Sequence, residues 1–395
     1  MNQLTASRRI ESVDILRGIV MIIMALDHVR DFLHADAFQH DPLNPDTTTP
    51  ILFFTRFITH YCAPVFVFLS GTSAYLSGLK KTTRQQSRFL LTRGLWLIFS
   101  EIAIITLAFS LNPFYNFLFL QVIWAIGISM VILSAMIWLP YEVVLITGLC
   151  IVFGHNLLDY PEALRGNKVN IIWDFAHNAQ FSVYPLGNKH FIGVIYAFLP
   201  WTGIMLTGYG AGKLFEQGFD ANRRRKILSL TGIGLIALFV LLRYINVYGD
   251  RVPWTKHATG LQTFLAFMNV NKYPPSLTYI CITLGPAFLL LSYLERIGNA
   301  FTRFVSIYGR VPFFYYVLHF YLIRVISVIA FFASGYGVKD IITPDFPFLF
   351  RPLQFGFSLW VVYLVWIAVV LLLYPLCKRY DNYKRTHKKW WLSYL

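Results

Sequence analysis

Apolar residues run along this chain in blocks of about twenty, broken by short polar, charged or Pro-containing stretches. A bilayer core about 30 Å thick needs about 20 such residues in a helix. Ten spans are predicted on that basis, at roughly 13–33, 51–79, 89–109, 117–138, 141–158, 191–212, 227–247, 276–294, 304–332 and 353–375. Only the short Leu139-Pro140 break divides the fourth from the fifth. No internal repeat and no low-complexity segment is evident. The expected fold is all-α: a polytopic integral membrane helix bundle, about ten helices in one domain over residues 1–395.

Composition agrees with the pattern, since 56% of residues are hydrophobic and only 13% charged, against about 25% charged in soluble domains. Charge adds direction. With the N-terminus inside, the pieces 1–12, 80–93, 139–142, 213–226, 295–310 and 376–395 carry the whole net +15, and the outer pieces sum to zero. Both termini are therefore expected in the cytoplasm, by the excess of Lys and Arg in cytoplasmic loops. The same asymmetry explains the basic pI without nucleic acid. The Lys- and Arg-rich tail after Cys377 suits anionic membrane lipids. Cys62, Cys150, Cys281 and Cys377 are widely spaced in apolar stretches and read as small buried hydrophobes. Neither Cys nor His shows metal-ligand spacing, so no metal is expected. The long outer pieces 159–190 and 243–275 are rich in Asn, Tyr and Trp. They suit a polar acceptor such as a carbohydrate, or equally an interfacial lid.

Ionisable side chains inside apolar spans are costly and mark functional sites by default. The first span holds several, among them Arg17 and His28. Eleven helical steps bring them to within about 20° of one face, about 16 Å apart along the axis. Of the ten histidines, His28, His34, His60, His155, His190 and His319 fall in the outer half or outer rim of the spans. Each has a plainer reading: His155 and His190 as interfacial residues, His60 as a hydrogen-bonded core histidine, His319 as a partner of a neighbouring tyrosine. Together they read as a proton-handling site open to the outside.

An imidazole can take a proton from an amine or hydroxyl as that group attacks an acyl carbon. A carboxylate on its far nitrogen would fix the tautomer. Asp27 is adjacent to His28 but about 100° away on the helix, and Asp31 or a carboxylate from another helix is an alternative. The candidate catalytic set is His28, Asp27, His60 and His319. Arg17, Arg93 and Arg310 are expected on the cytoplasmic side, where they could bind the phosphates of a soluble donor; topology alone also accounts for basic loops there.

At these residues the chain resembles the bacterial transmembrane proteins related to heparan-alpha-glucosaminide N-acetyltransferase. The matching stretches are Ser12-Val-Asp-Ile-Leu-Arg-Gly18, Met24-Ala-Leu-Asp-His-Val-Arg-Asp-Phe32, the run from Phe54 to Gly71, Gly154-His-Asn-Leu-Leu-Asp159, and the run from Tyr308 to Tyr321. Arg17 and His28 also fit the Arg-x10-His pattern of the broader membrane acyltransferase superfamily. The resemblance implies transfer of an acetyl group from cytoplasmic acetyl-CoA to an amine or hydroxyl of a sugar on the outer side. It also implies location in a bacterial inner membrane, and is compatible with a homo-oligomer. The sequence departs from the lysosomal enzyme, which has Asn where His28 stands and its functional His in the following segment. That segment here contains His34 and His40, so which histidine is the base stays open. Eleven spans are expected for the lysosomal relative. Acceptor identity does not transfer with a family. A proton-coupled transporter or flippase of a sugar or lipid-linked intermediate uses similar buried groups, and a non-catalytic membrane partner is the third reading.

Overall fold

The first predicted span becomes one helix, α1 (Glu11–Leu33), in a computed structural model that describes residues 11–164, 170–342 and 347–393. Residues 1–10, most of the first predicted cytoplasmic piece, lie outside these. The chain continues through α2 (Pro50–Thr59), α3 (Cys62–Gly78), α4 (Thr83–Ser100), a π turn (Glu101–Ile105) and α5 (Thr106–Ser110). Next come β1 (Phe117–Leu120), α6 (Val122–Met136), α7 (Tyr141–Gly154), α8 (Asp159–Leu164) and α9 (Ile171–Trp173). A hairpin of β2 (Ser182–Gly187) and β3 (His190–Val194) precedes α10 (Phe198–Ala211) and α11 (Ala221–Ile245). The remainder is α12 (Gly260–Met268), α13 (Leu277–Leu294), α14 (Ala300–Arg310), α15 (Pro312–Ala333) and α16 (Leu359–Thr386).

The protein is mostly helical, and seven helical stretches among the described residues are long and apolar enough to cross a membrane. The ten expected spans are realised unevenly. The first is 23 residues long but carries its own charged residues, so it is not among the seven. The fourth and sixth contain helices of only 15 and 14 residues, because their leading ends are the strands β1 and β3. This is the correction to an all-α expectation: a small sheet of order β1-β3-β2. Non-helical backbone at membrane depth is tolerated where protein covers it, and Phe119, Leu120 and Val194 are buried. The hairpin closes on Asn188 and Lys189, both at positive φ, as a two-residue turn matched to strand twist requires. β1 and β3 pair in parallel, so α6 and α10 run the same way, as the span alternation demands.

The second span breaks where Pro64 has no N–H to offer. The freed carbonyl of His60 accepts the Tyr279 hydroxyl instead, at 2.8 Å. The ninth breaks at Val311-Pro312, with Pro312 starting α15. The tenth starts late and runs long: α16 takes in Leu376–Thr386, part of the predicted basic tail.

α1 is the buried centre, packed by α3, α13, α14, α15 and α16. Its backbone touches that of α14, where a Cβ on Gly309 would lie 1.8 Å from the Asp14 carbonyl oxygen and one on Gly18 2.1 Å from that of Val305. Small residues at such crossings are how helices associate in lipid, where water gives no hydrophobic push. Polar pairs add to this, as in Ser129 on Thr202 at 3.0 Å between α6 and α10, each worth about 0.6 kcal/mol. Exposed Leu and Ile side chains on α11 and α16 form the lipid-facing surface.

Candidate active site

α1 delivers both of its marked residues to contacts across the bundle. At one end Arg17 donates to the Ser73 hydroxyl (2.7 Å), the Gly309 carbonyl (3.1 Å) and Asp14 (3.3 Å). It thus ties α1 to α3 and to the C-terminal carbonyls of α14, where a cation is favoured. At the other end His28 Nδ1 lies 2.7 Å from His319 Nε2 on α15. The order of contacts along α1 makes α15 parallel to it, and α3 and α14 antiparallel.

The protons of the imidazole pair follow from its far end. His319 Nδ1 sits 3.1 Å from the Tyr315 carbonyl oxygen. A carbonyl only accepts, so Nδ1 carries the proton and His319 Nε2 is an acceptor. His28 Nδ1–H must then donate to it, which leaves the lone pair on His28 Nε2. That nitrogen has no hydrogen-bond partner among the described residues. The His28 ring is held by stacking on Phe320, with centroids 4.1 Å apart.

Asp27 was expected beside His28 as its orienting carboxylate. The structure places it elsewhere: Oδ1 accepts from Arg30 at 3.0 Å and Oδ2 from Arg56 at 2.5 Å. Arg30 also bonds Asp31 at 2.6 Å, so two carboxylates and two guanidiniums form one network. A second imidazole, not a carboxylate, orients His28. The hundred-degree offset on the helix is the reason.

These groups sit at the inner end of a polar cavity of about 1100 Å³. Its walls include His34, His40, His60 and His257, the Arg30, Arg56 and Lys272 cations, and the aromatic rings of Tyr196, Tyr273 and Trp254. A smaller cavity of about 40 Å³ shares Asp27, His28, Gln121, Tyr196 and Lys272 with it, and continues past Met24 and Ala63 toward the Arg17 end. His28 therefore stands at a neck between two spaces. Arg351 fixes the end of α1 near the cavity by donating to the carbonyls of His34 (2.8 Å), Pro352 (2.7 Å) and Phe355 (2.5 Å). Burial lowers the Arg351 pKa to about 10. Asp250 closes another wall, accepting from the Thr278 hydroxyl at 2.7 Å. Burial pushes its carboxyl above the usual carboxylate range.

The six outer histidines do not form one cluster. His28, His34 and His60 line the large cavity and His319 backs His28. His60 is buried against the Tyr279 ring, and neither of its nitrogens has a partner among the described residues. His190 starts β3 and bonds the carbonyls of Asn188 and Phe114. His155 belongs to a separate buried group: its Nδ1 lies 3.1 Å from His177 Nε2, and His177 Nδ1 lies 2.7 Å from Glu162. Asp159, Glu162 and His177 bring potential metal-ligand atoms within 4.8 Å of one another. However, Glu162 already takes Trp173 at 2.5 Å and Arg251 at 3.1 Å, and that guanidinium opposes a cation there.

The three arginines expected on the cytoplasmic side are partly engaged. Arg310 grips Asp381 with two nitrogens at 2.9 Å and the Ser306 hydroxyl at 2.7 Å. It follows Gly309, so it shares an end of the bundle with Arg17. Arg93 lies on α4 over the Phe89 ring.

Sequence reading missed Lys272, Tyr273 and Tyr196, and assigned no role to Arg56. Lys272 falls in a long outer loop, where the only signal was a cation within an Asn- and Tyr-rich run before Pro274. Glu101 lies inside the third predicted span, where no role was assigned to it. It caps α6, accepting from the Trp124 N–H at 2.9 Å and from those of Gln121 and Ile123, where the positive end of the helix dipole lies.

An apolar helix bundle enclosing a cavity bordered by a bare imidazole nitrogen is that of an integral membrane protein. Residues 9–245 match the family described as heparan-alpha-glucosaminide N-acetyltransferase, catalytic, and the chain belongs to that family. The family is one of transmembrane acetyltransferases. The match takes in Arg17, His28, His60 and Gln121, while Lys272 and His319 lie beyond it. Among curated proteins no significant match is found.

Proposed function

We propose that the protein transfers an acetyl group from acetyl-CoA to an amine or hydroxyl of a glycan or other polar acceptor, with His28 as general base. The observation that carries this is the His28–His319 pair at the neck between the two cavities, which leaves His28 Nε2 free to take a proton. His319 is a positioning residue that fixes the His28 tautomer. The Asp27–Arg56 ion pair anchors the charged wall beside it, and His60 contributes a further imidazole to the acceptor cavity.

The donor enters from the Arg17 end, where Arg17, Arg310 and Arg93 face its phosphates, and the acceptor occupies the large cavity. The basic end is the cytoplasmic one, both termini lie there, and the chain is one transmembrane domain of an inner membrane. Transfer is direct. The acceptor proton passes to His28 as the new bond forms, and then to the departing CoA sulfur.

The test uses full-length protein in proteoliposomes with radiolabelled acetyl-CoA on one side and amino sugars opposite. Wild type should move label onto an acceptor across the bilayer, and His28→Ala should lose at least about 10²-fold of that rate. Full activity in folded His28→Ala would sink the base assignment. Movement of an unmodified sugar, without loss of the acetyl thioester, would favour a carrier.

A further inference from the structure

The small cavity contains hydrogen-bond donors that the protein itself leaves unused. The Gln121 amide nitrogen is buried and has no partner among the described residues. The Tyr316 hydroxyl is likewise without one, on a residue only 4% exposed. Lys272, 7% exposed, is hydrogen-bonded to the Tyr273 side chain and lies 5.1 Å from its ring centroid, so the unused donors are those of Gln121 and Tyr316, with Lys272 as a cation beside them. All three line the cavity of about 40 Å³ that His28 also borders. Buried donors left unpaired are rare in native structures, and each asks for an explanation. The rest of that wall includes Met24, Ala63, Phe66 and Val122, which are apolar.

We infer that this small cavity is the acyl pocket, with Gln121 and Tyr316 as its oxyanion donors; the inference rests on the acetyltransferase reading above. The acetyl methyl packs against Met24, Ala63 and Phe66. The carbonyl oxygen points at the Gln121 amide and the Tyr316 hydroxyl, and Lys272 adds positive potential from the side. As the acceptor nitrogen or oxygen bonds to the carbonyl carbon, its proton goes to His28 Nε2. The carbonyl π pair moves onto oxygen, where the two donors hold it. Collapse restores the carbonyl, breaks the carbon–sulfur bond, and sends the proton from His28 to the leaving thiolate. Acetyl-CoA and acceptor become acetylated acceptor and CoA, with nothing else consumed.

Two consequences separate this from a pocket that only binds water. The donors act only in the transition state, so their loss changes kcat and not KM. The pocket is also a ruler: it fits an acetyl group, and each further methylene meets Phe66 or Met24.

The experiment compares acetyl-, propionyl- and butyryl-CoA as donors to amino sugars, using full-length protein in nanodiscs. Wild type should favour acetyl over butyryl by about 10²-fold or more, at about 10–200-fold for each methylene that matters. Phe66→Ala should shrink that ratio at least about tenfold. Tyr316→Phe and Gln121→Leu should each lower kcat by about 10–10³-fold with KM for acetyl-CoA nearly constant. Gln121→Met keeps nearly the same length, removes the donor, and serves if the Leu variant does not fold. Unchanged kcat in these variants, or a wild type that uses butyryl-CoA as readily as acetyl-CoA, overturns the pocket assignment while leaving acetyl transfer intact. A wild type that transfers no acetyl group overturns the function reading and the pocket with it.

Discussion

Two buried imidazole pairs with the same proton order sit in different parts of this bundle. In one, His28 donates to His319, which donates to the Tyr315 carbonyl. In the other, His155 donates to His177, which donates to the Glu162 carboxylate. Each ends in a bare Nε2. They differ at both termini. His155 Nε2 is buried without a partner and lines neither cavity, whereas His28 borders both. A carboxylate can stabilise a second proton on its imidazole, and a carbonyl does so far less. A proton taken up by His28 therefore stays on His28, ready for return to a leaving group. The Glu162 pair, held further by Trp173 and Arg251, is built to stay as it is. A histidine pair is thus a site or a brace according to what its two ends meet.

Substitutions at the two ends can break that contrast. The largest effect is expected from His319→Leu, which removes the acceptor that sets the His28 tautomer. Acetyl transfer should fall by about 10²-fold, and His319→Gln, which can still accept through its amide oxygen, should recover part of it. Steady-state rates on folded protein decide this, and equal rates for wild type and the Leu variant would show that His28 needs no partner. Next comes Glu162→Leu, which takes the carboxylate away from His177 and Arg251 in a buried setting. Stability should drop by about 3 kcal/mol, read as a lower melting temperature in detergent, with turnover per folded molecule held within about twofold. A loss of turnover larger than the loss of folded protein would move the second pair into the mechanism. The smallest effect is expected at His190→Ala on the rim of β3. Stability should change by no more than about 0.5 kcal/mol and transfer hardly at all; a large loss of transfer there would restore the idea of one outer histidine cluster.

The helical framework was legible because apolar length is a local quantity. The in-phase Arg17 and His28 were legible for the same reason, since helix geometry fixes their common face. What His28 touches was not. His319 is 291 residues away in the chain, and nothing in the run Phe313–Tyr321 says which imidazole nitrogen meets a carbonyl. Asp27 was the natural partner by adjacency, and helix rotation sends it to Arg56. The strands were hidden because Phe117–Leu120 and His190–Val194 are as apolar as the helices they lead into. Lys272 could not be placed, because a loop residue's depth depends on how the loop folds back.

The glycine contact between α1 and α14 bears on how the molecule moves. With backbone against backbone at Gly18 and Gly309, and Arg17 bolted across both, α1 cannot slide or roll on α14. His28 rides on that locked unit, and His319, on α15 beyond the Val311-Pro312 break, meets it across the contact between α1 and α15. The segments 35–49 and 246–275 roof the large cavity and are joined to each other by His257 on Asp46 at 2.9 Å and Asn269 on the Leu43 carbonyl at 3.1 Å, so an acceptor enters only where those two contacts open. The protein separates a fixed reaction axis from a movable cover, and a cross-link between those two segments should close the door without disturbing the hinge post.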